Sequence, residues 1–170
     1  MSSKEESNSK TSSSDSKKVY PKKFSDEFQT LFNVEISKTL WVTVHKSKSV
    51  QDTMFVGIRR KKEGNWNGKK ILIPTKEGLF LKYSEYEALK SKFDMFLFGR
   101  DKSFEISVIP NRTLTGKAII SEDGESKLEI TFKTDYKESN LVLTGAEVAK
   151  LISESITDGI ASAMCSAIYG

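Results

Sequence analysis

Two stretches, GLFLKYSEYEALKSKF at residues 78–93 and NLVLTGAEVAKLISES at residues 140–155, follow the same plan. Each begins as a short apolar strand, turns, presents an acidic residue and continues with the apolar spacing of an amphipathic helix. Because the same ending occurs twice in one small chain, we expect the segments that precede it to be related as well.

The residues before the first stretch alternate with the period of two that is typical of β-strands. Residues 40–48 and 53–62 each have one apolar face and one mixed face. The mixed face holds Trp41, Thr43, His45, Phe55, Arg59 and Lys61. KILIP and LFLKY are expected as the third and fourth strands, separated by Pro74. Residues 39–98 are therefore predicted to form a first ββββα unit.

Residues 99–170 repeat this order. We expect four strands, SFEISVIP, TLTGKAIIS, KLEITFKT and LVL, with a hairpin signal at Asp123-Gly124. A helix is expected to start at Thr144 or Gly145 and to break at Asp158-Gly159. A sheet with one helix leaves an apolar face uncovered, so we expect the two units to cover each other. The predicted fold class is α+β: two tandem ββββα units whose antiparallel curved sheets pack with helices as one pseudo-dimeric domain. An ordinary α+β domain with two helices that happen to follow strands is the alternative.

The N-terminal part of the chain carries weaker signals. Residues 1–23 contain eight serines, several lysines and no apolar run, which predicts a disordered Ser/Lys-rich tail. In residues 24–38, four apolar side chains fall on one helical face, which predicts a short helix or a strand that leads into the sheet. These are Phe24, Phe28, Leu31 and Phe32.

Composition excludes several classes of protein. No apolar run approaches the roughly 18–20 residues that span a bilayer, and the N-terminus lacks a signal peptide, so we expect an intracellular protein without a membrane partner. One cysteine, Cys165, and one histidine, His45, argue against a disulfide or a zinc site. The chain contains no phosphate-binding glycine loop and no hydrolase or metalloprotease motif. We therefore expect no enzyme activity and no cofactor.

The charge is unevenly distributed along the chain. Residues 39–100 hold thirteen Lys/Arg against six Asp/Glu, whereas residues 101–170 hold seven against eleven. A basic half indicates an anionic partner. A solvated lysine-rich surface explains the same numbers.

The run from Val56 to Phe93 resembles the single-strand DNA-binding domain of the positive-cofactor-four transcriptional coactivators. The resemblance rests on Val56-Gly57-Ile58-Arg59, Glu63-Gly64, Lys76 with Gly78, and Tyr86-Glu87-Ala88-Leu89-Lys90. The doubled ββββα order is similar to that of the Whirly proteins, which share the superfamily fold and bind single-stranded DNA. The resemblance implies the same fold and ligand for this chain.

In the coactivators, basic and aromatic side chains on the outer sheet surface bind phosphates and stack on bases. By position, the resemblance implies phosphate contacts for Lys48, Arg59 and Lys76. The chain departs from the family at Ser47 and Lys62, where the family has aromatic residues. The phosphate contacts are therefore better supported than the stacking contacts.

A single-strand site needs a track of cations and flat side chains for bases. The candidate residues are Trp41, Lys46, Lys48, Phe55, Arg59, Lys61, Lys62, Trp66, Lys69, Lys70 and Lys76. Trp66 is the candidate stacking residue, although it could instead fold back on the sheet edge. Trp41 and Phe55 could instead belong to a second small core.

We therefore expect a protein that binds single-stranded DNA, or RNA, in transcription or replication, located in the nucleus or at a site of genome replication. A structural or adaptor protein that uses the same fold for protein contacts is the alternative. Transcription or replication proteins are then candidate partners. An apolar face of the last helix, formed by Ala161, Ala163, Met164 and Ile168, would allow a homo-oligomer.

Overall fold

The computed structural model describes residues 24–49, 53–99 and 102–169. The predicted Ser/Lys-rich tail, residues 1–23, lies outside these residues. The described chain is α+β, with two four-stranded antiparallel sheets that are each followed by helices. This agrees with two consecutive ββββα arrangements.

The first sheet has the strand order β1-β2-β3-β4, so neighbours in sequence are neighbours in space. A short helix, α1 (Phe24–Glu27), precedes it and helix α2 (Tyr83–Leu97) follows it. Its strands are β1 (Phe28–Glu35), β2 (Leu40–Ser47), β3 (Met54–Trp66) and β4 (Lys69–Lys82).

The second sheet has the equivalent order β5-β6-β7-β8 and is followed by two helices. Its strands are β5 (Ser103–Ile109), β6 (Arg112–Ile120), β7 (Ser126–Thr134) and β8 (Glu138–Thr144). The helices are α3 (Gly145–Leu151) and α4 (Glu154–Tyr169).

The first sheet begins at Phe28, within the segment predicted as a short helix or a strand that leads into the sheet. A β-bulge explains why this segment has helical spacing. Thr30 pairs with His45 and Phe32 pairs with Val44, so one residue is inserted and the apolar side chains change faces. An alternating strand interrupted by a bulge therefore imitates the spacing of a helix face.

Strand β4 joins the two segments that were predicted as separate third and fourth strands. Pro74 was expected to end a strand, but β4 is the edge strand of the sheet, where proline is tolerated. The pairing shifts between Lys61–Pro74 and Arg59–Gly78, so the residues after Pro74 form a bulge. The strand passes through this irregularity without ending.

The second unit ends in two helices where the sequence predicted one helix with a break at Asp158-Gly159. The break lies earlier, between Leu151 and Glu154, and Gly159 lies inside α4. A Cβ atom at Gly159 would come within 2.6 Å of the Phe32 ring. This glycine therefore allows close packing between α4 and β1, and it does not end the helix.

One hydrophobic core takes side chains from both halves of the chain. Helix α2 packs against β5 as well as against its own strands β3 and β4, and helix α4 packs against β1 and β2. Fully buried members of the core include Val42, Ile58, Leu79, Leu89 and Phe93 from the first half, and Leu114, Ile130, Leu141 and Leu151 from the second.

This packing makes a stability test possible within the second sheet. Ile130 is 0% exposed, whereas Ile120 is 80% exposed. We expect Ile130→Ala to lower the free energy of unfolding, measured in urea, by about 2–5 kcal/mol because it leaves a cavity in the shared core. The control Ile120→Ala should cost less than about 1 kcal/mol. Equal losses would contradict the assigned face of the sheet.

Candidate nucleic-acid interface

The outer face of the first sheet, on the side away from the shared core, carries the mixed face predicted from the sequence. Trp41 pairs with Arg59 across β2 and β3, and His45 pairs with Phe55, so all four side chains point to this face. Val42 and Val44 point the other way and are fully buried. We call this surface the outer face.

Trp41 and Lys61 contact each other on the outer face. The Lys61 ammonium lies over the Trp41 ring, 4.7 Å from its centroid, in a cation–π contact. Both side chains are partly exposed. The cation therefore lies against one face of a partly exposed aromatic ring.

Phe55 lies in an aromatic cluster with Phe28, His45 and Phe80. Its ring stacks on Phe80 at 5.0 Å with an interplanar angle of 14°, and Phe28 meets it edge-on at 5.4 Å. This arrangement matches the second small core that the sequence analysis left open for Phe55. The cluster forms part of the outer face, and Phe80 covers one side of the Phe55 ring.

His45 is the buried polar member of that cluster, with 7% of its surface exposed. Its Nδ1 atom lies 3.1 Å from the Thr30 hydroxyl and its Nε2 atom 2.7 Å from the Thr43 hydroxyl. Gly57 leaves room for this arrangement, because a Cβ there would lie 2.7 Å from Thr43 Oγ1. Burial lowers the pKa of His45 and so favours its neutral form.

The end of the β3–β4 hairpin projects as an arm, which we define as Lys61–Lys76. Strands β3 and β4 have 13 and 14 residues, whereas the equivalent strands β7 and β8 have 9 and 7. A two-residue turn at Asn67 and Gly68, with φ angles of 52° and 78°, closes the arm as expected for a type I′ hairpin. The second sheet has no equivalent of this extension among the residues described.

The arm is cationic and exposed. Trp66, near its tip, is 68% exposed and does not fold back on the sheet. Within the described ranges, no ion pair engages the lysines of the arm, and Glu63 is the only acidic residue between Lys61 and Lys76. These lysines are Lys61, Lys62, Lys69, Lys70 and Lys76. Their charges are therefore available to an anion.

Hydrogen bonds hold the base of the arm. Arg59 Nη1 donates to the Thr75 carbonyl at 3.2 Å, and the Thr75 hydroxyl donates to the Arg60 carbonyl at 2.7 Å. Arg60 Nη2 donates to the Val142 carbonyl of β8, and the Val142 N–H donates to Glu77 at 3.4 Å. The arm is therefore tied to the edge strand of the second sheet.

The structure places most of the candidate residues on the outer face or on the arm. The candidates on the outer face are Trp41, Phe55, Arg59 and Lys61. The candidates on the arm are Lys62, Trp66, Lys69, Lys70 and Lys76. Two candidates lie elsewhere. Lys46 pairs with the buried Met54 and its Nζ lies 3.4 Å from the Ala167 carbonyl of α4, so it points to the opposite face. Lys48 follows β2 at the end of the sheet away from the arm.

Arg60 is a functional candidate that the sequence analysis did not single out. It points away from the outer face and forms an ion pair with Glu147 in the first turn of α3. Arg112 of β6 forms a second ion pair with Glu85 in the first turn of α2, at 2.8 Å and 3.0 Å. The sequence signal that could have indicated this ion pair was an arginine at a core-facing position of a strand, because a buried guanidinium requires a carboxylate partner.

Glu147 has an unusually acidic carboxyl group. Burial alone would raise its pKa, but hydrogen bonds from Arg60, Ser37 and the Thr144 N–H outweigh burial and hold the pKa at about 2. The Thr144 hydroxyl in turn accepts from the Glu147 N–H at 3.1 Å, which completes a capping box at the start of α3. The same side chain therefore caps a helix and joins the two halves.

Within the described part of the chain, no group of three or more His, Cys, Asp or Glu side chains could hold a metal ion. No helix there is long and apolar enough to cross a bilayer.

Comparison with known proteins does not assign the chain to a family. No protein-family model matches it, and no curated protein matches it significantly. Among solved structures it is similar to one described as "Crystal structures of trypanosoma bruciei MRP1/MRP2". The TM-score is 0.34 and the identity 15%, over 81% of this chain and 85% of that chain.

The Glu147 contacts give an expectation for stability against pH. The folded-state pKa of about 2 lies below the ordinary value of 4.5, so the ionised carboxylate stabilises the fold above pH 4.5 and this contribution is lost as the pH falls toward 2. We expect Glu147→Gln to lower the free energy of unfolding by on the order of 3 kcal/mol at pH 7. The difference from the parent should shrink as the pH falls to 2.

The control is Glu129→Gln. Glu129 pairs with Lys117 at 3.4 Å on the exposed side of the second sheet, where an ion pair contributes about 0–1 kcal/mol. A Glu147→Gln effect that is no larger than the control, or that stays constant between pH 7 and pH 2, would contradict the assigned role.

Proposed function

We propose that this protein binds single-stranded nucleic acid, most readily single-stranded DNA, without enzymatic activity, on the outer face and the arm. The observation that carries the proposal is the group of exposed lysines on the arm, none of which forms an ion pair with the described residues, together with Arg59 and the Trp41–Lys61 contact at the base of the arm. A role in transcription or replication, in the nucleus or at a site of genome replication, belongs to the same proposal. It is consistent with the resemblance to the positive-cofactor-four and Whirly proteins.

The chemistry of this surface suits an unpaired strand. Lysine and arginine side chains neutralise phosphates and release counterions. Flat side chains stack on bases whatever their identity, at about 1–3 kcal/mol per base. Trp66 offers an uncovered ring, and Trp41 offers a ring already paired with a cation. Such a surface is expected to bind strands with little sequence preference.

In this proposal the second half covers the core face of the first sheet and supports the binding surface. Two ion pairs cross between the halves, and in each the carboxylate lies in the first turn of the helix that follows the fourth strand of a sheet. The acids Glu85 and Glu147 are equivalent by position, whereas Arg60 and Arg112 come from different strands. We therefore propose a pseudo-dimeric arrangement with curved sheets, in which one chain does what two associated copies of a single unit would do.

An adaptor function is the second candidate. The outer face of the second sheet is polar and balanced in charge, with Lys117 paired to Glu129 and Thr131 bonded to Asn140. Large apolar side chains are exposed in that half, at Val108, Ile120 and Tyr136. These residues favour a protein partner, such as a transcription or replication protein, on the second half.

Binding to a short single-stranded DNA tests the first proposal. We expect affinity, measured by fluorescence anisotropy, to fall steeply with salt, with a slope of about −0.7 per phosphate contact in a plot of log affinity against log salt. The double variant Arg59→Ala/Lys61→Ala should bind about tenfold or more weakly and show a shallower slope.

The matched control is Lys133→Ala/Lys137→Ala, which removes two exposed cations from the β7–β8 hairpin. It should bind as the parent does. Urea unfolding of each variant separates loss of binding from loss of fold, because Arg59 also bonds to the arm base. Parent-like binding by a folded Arg59→Ala/Lys61→Ala variant would contradict the assigned face.

Trp66 tests the stacking contribution separately. We expect Trp66→Ala to weaken single-strand binding by about 1–3 kcal/mol, with the salt slope unchanged, because the side chain carries no charge. Tyr136→Ala is the control, since Tyr136 is 96% exposed at the turn of the shorter β7–β8 hairpin. An equal effect of the two substitutions on anisotropy titrations would rule out a specific stacking role.

A further inference from the structure

The arm carries cations on both of its faces. Lys61 lies on the face that continues the outer face, and Lys70 shares that face because it pairs with Asn65. Lys62 lies on the opposite face, and Lys69 shares that one because it pairs with Trp66. A single strand of DNA that lies along one face of a two-stranded β-ribbon contacts the cations of that face only. Cations on both sides fit a ligand that has phosphates on both sides of the ribbon.

The dimensions of the arm match the major groove of B-form DNA. Two paired strands lie about 4.8 Å apart and, with side chains, form a ribbon about 10 Å across. The major groove is about 12 Å wide and admits a two-stranded β-ribbon between its two phosphate backbones. The deep, narrow major groove of an A-form RNA duplex excludes such a ribbon.

The arm is long enough to enter a groove. The described strands extend beyond Arg60 for six residues on β3, from Lys61 to Trp66, which corresponds to roughly 20 Å. A groove about 8.5 Å deep takes less than half of that length. The bonds from Arg60 and Glu77 to Val142 tie the arm base to the second sheet.

We infer that the arm enters the major groove of a DNA duplex that adjoins the single strand on the outer face. The preferred ligand is then a junction between single-stranded and double-stranded DNA. Phosphates on either side of the groove contact Lys62 and Lys69 on one face and Lys70 on the other. This inference rests on the proposed single-strand function for the part of the ligand outside the duplex.

A set of four labelled ligands tests the inference: a single strand, a blunt DNA duplex, a forked DNA with the same single strand, and the same fork with an RNA duplex. We expect the parent protein to bind the DNA fork at least about tenfold more tightly than the single strand, because the duplex adds phosphate contacts. The RNA fork should bind no more tightly than the single strand. Dimethyl sulfate should find guanine N7 atoms protected in the first turn of the DNA duplex.

Because the arm lysines belong to the proposed single-strand site, the variant Lys62→Ala/Lys69→Ala/Lys70→Ala should weaken binding to both ligands, but by at least about tenfold more for the fork, so that the fork preference and the N7 protection are lost. The control Lys133→Ala/Lys137→Ala should keep both. Equal affinity of the parent for the fork and the single strand, or an equal loss on both ligands in the arm variant, would overturn the inference and leave single-strand binding intact. Tight binding to the fork and the blunt duplex without single-strand binding would instead overturn the proposed function and support groove insertion.

Discussion

The carboxylate of Glu147 is the contact on which the arrangement of the two halves depends. It accepts hydrogen bonds from Arg60 on β3 and from Ser37 in the turn before β2, and it caps the first turn of α3. A buried ion pair of this kind is a weak source of net stability, because both charges lose water, but its geometry is demanding. It therefore specifies how the second half sits on the first. Arg112 and Glu85 make the reciprocal contact in the other direction.

The same contact connects the core to the proposed binding surface. The Arg60 guanidinium donates hydrogen bonds to the Glu147 carboxylate and to the Val142 carbonyl. The main-chain carbonyl of Arg60 accepts a hydrogen bond from the Thr75 hydroxyl. The bulge after Pro74 is thereby fixed against the second sheet. Both strands at the base of the arm are therefore hydrogen-bonded to β8.

The two sheets share a strand order but differ in surface chemistry. The first has an outer face with Trp41, Arg59 and Lys61 and a long cationic arm, whereas the second has a short hairpin and paired charges such as Lys117 with Glu129. The surface that we propose to bind a polyanion therefore lies on the first sheet, and the second sheet packs against the first through the shared core. This division agrees with the uneven charge of the two halves of the sequence.

Local patterns predicted the parts of the fold that local forces determine. The alternation in β2 and β3 placed Trp41 and Arg59 on one face, and the repeated strand-turn-helix ending indicated two four-stranded sheets. Other features depend on contacts distant in sequence. The bulge at Leu31 left the prediction for β1 open between a short helix and a strand. Gly159 was taken for a helix break because its packing against Phe32 cannot be read from its neighbours. The partner of Arg60 lies in the other half of the chain, so the sequence did not reveal their contact.

Cross-linking of a short single-stranded DNA that carries 5-iododeoxyuridine, followed by mass spectrometry, tests the central claim most directly. We expect cross-linked peptides from β2, β3 and the arm, centred on Trp41 and Trp66. Cross-links confined to the second sheet or to α4, in a protein that binds the DNA, would contradict it.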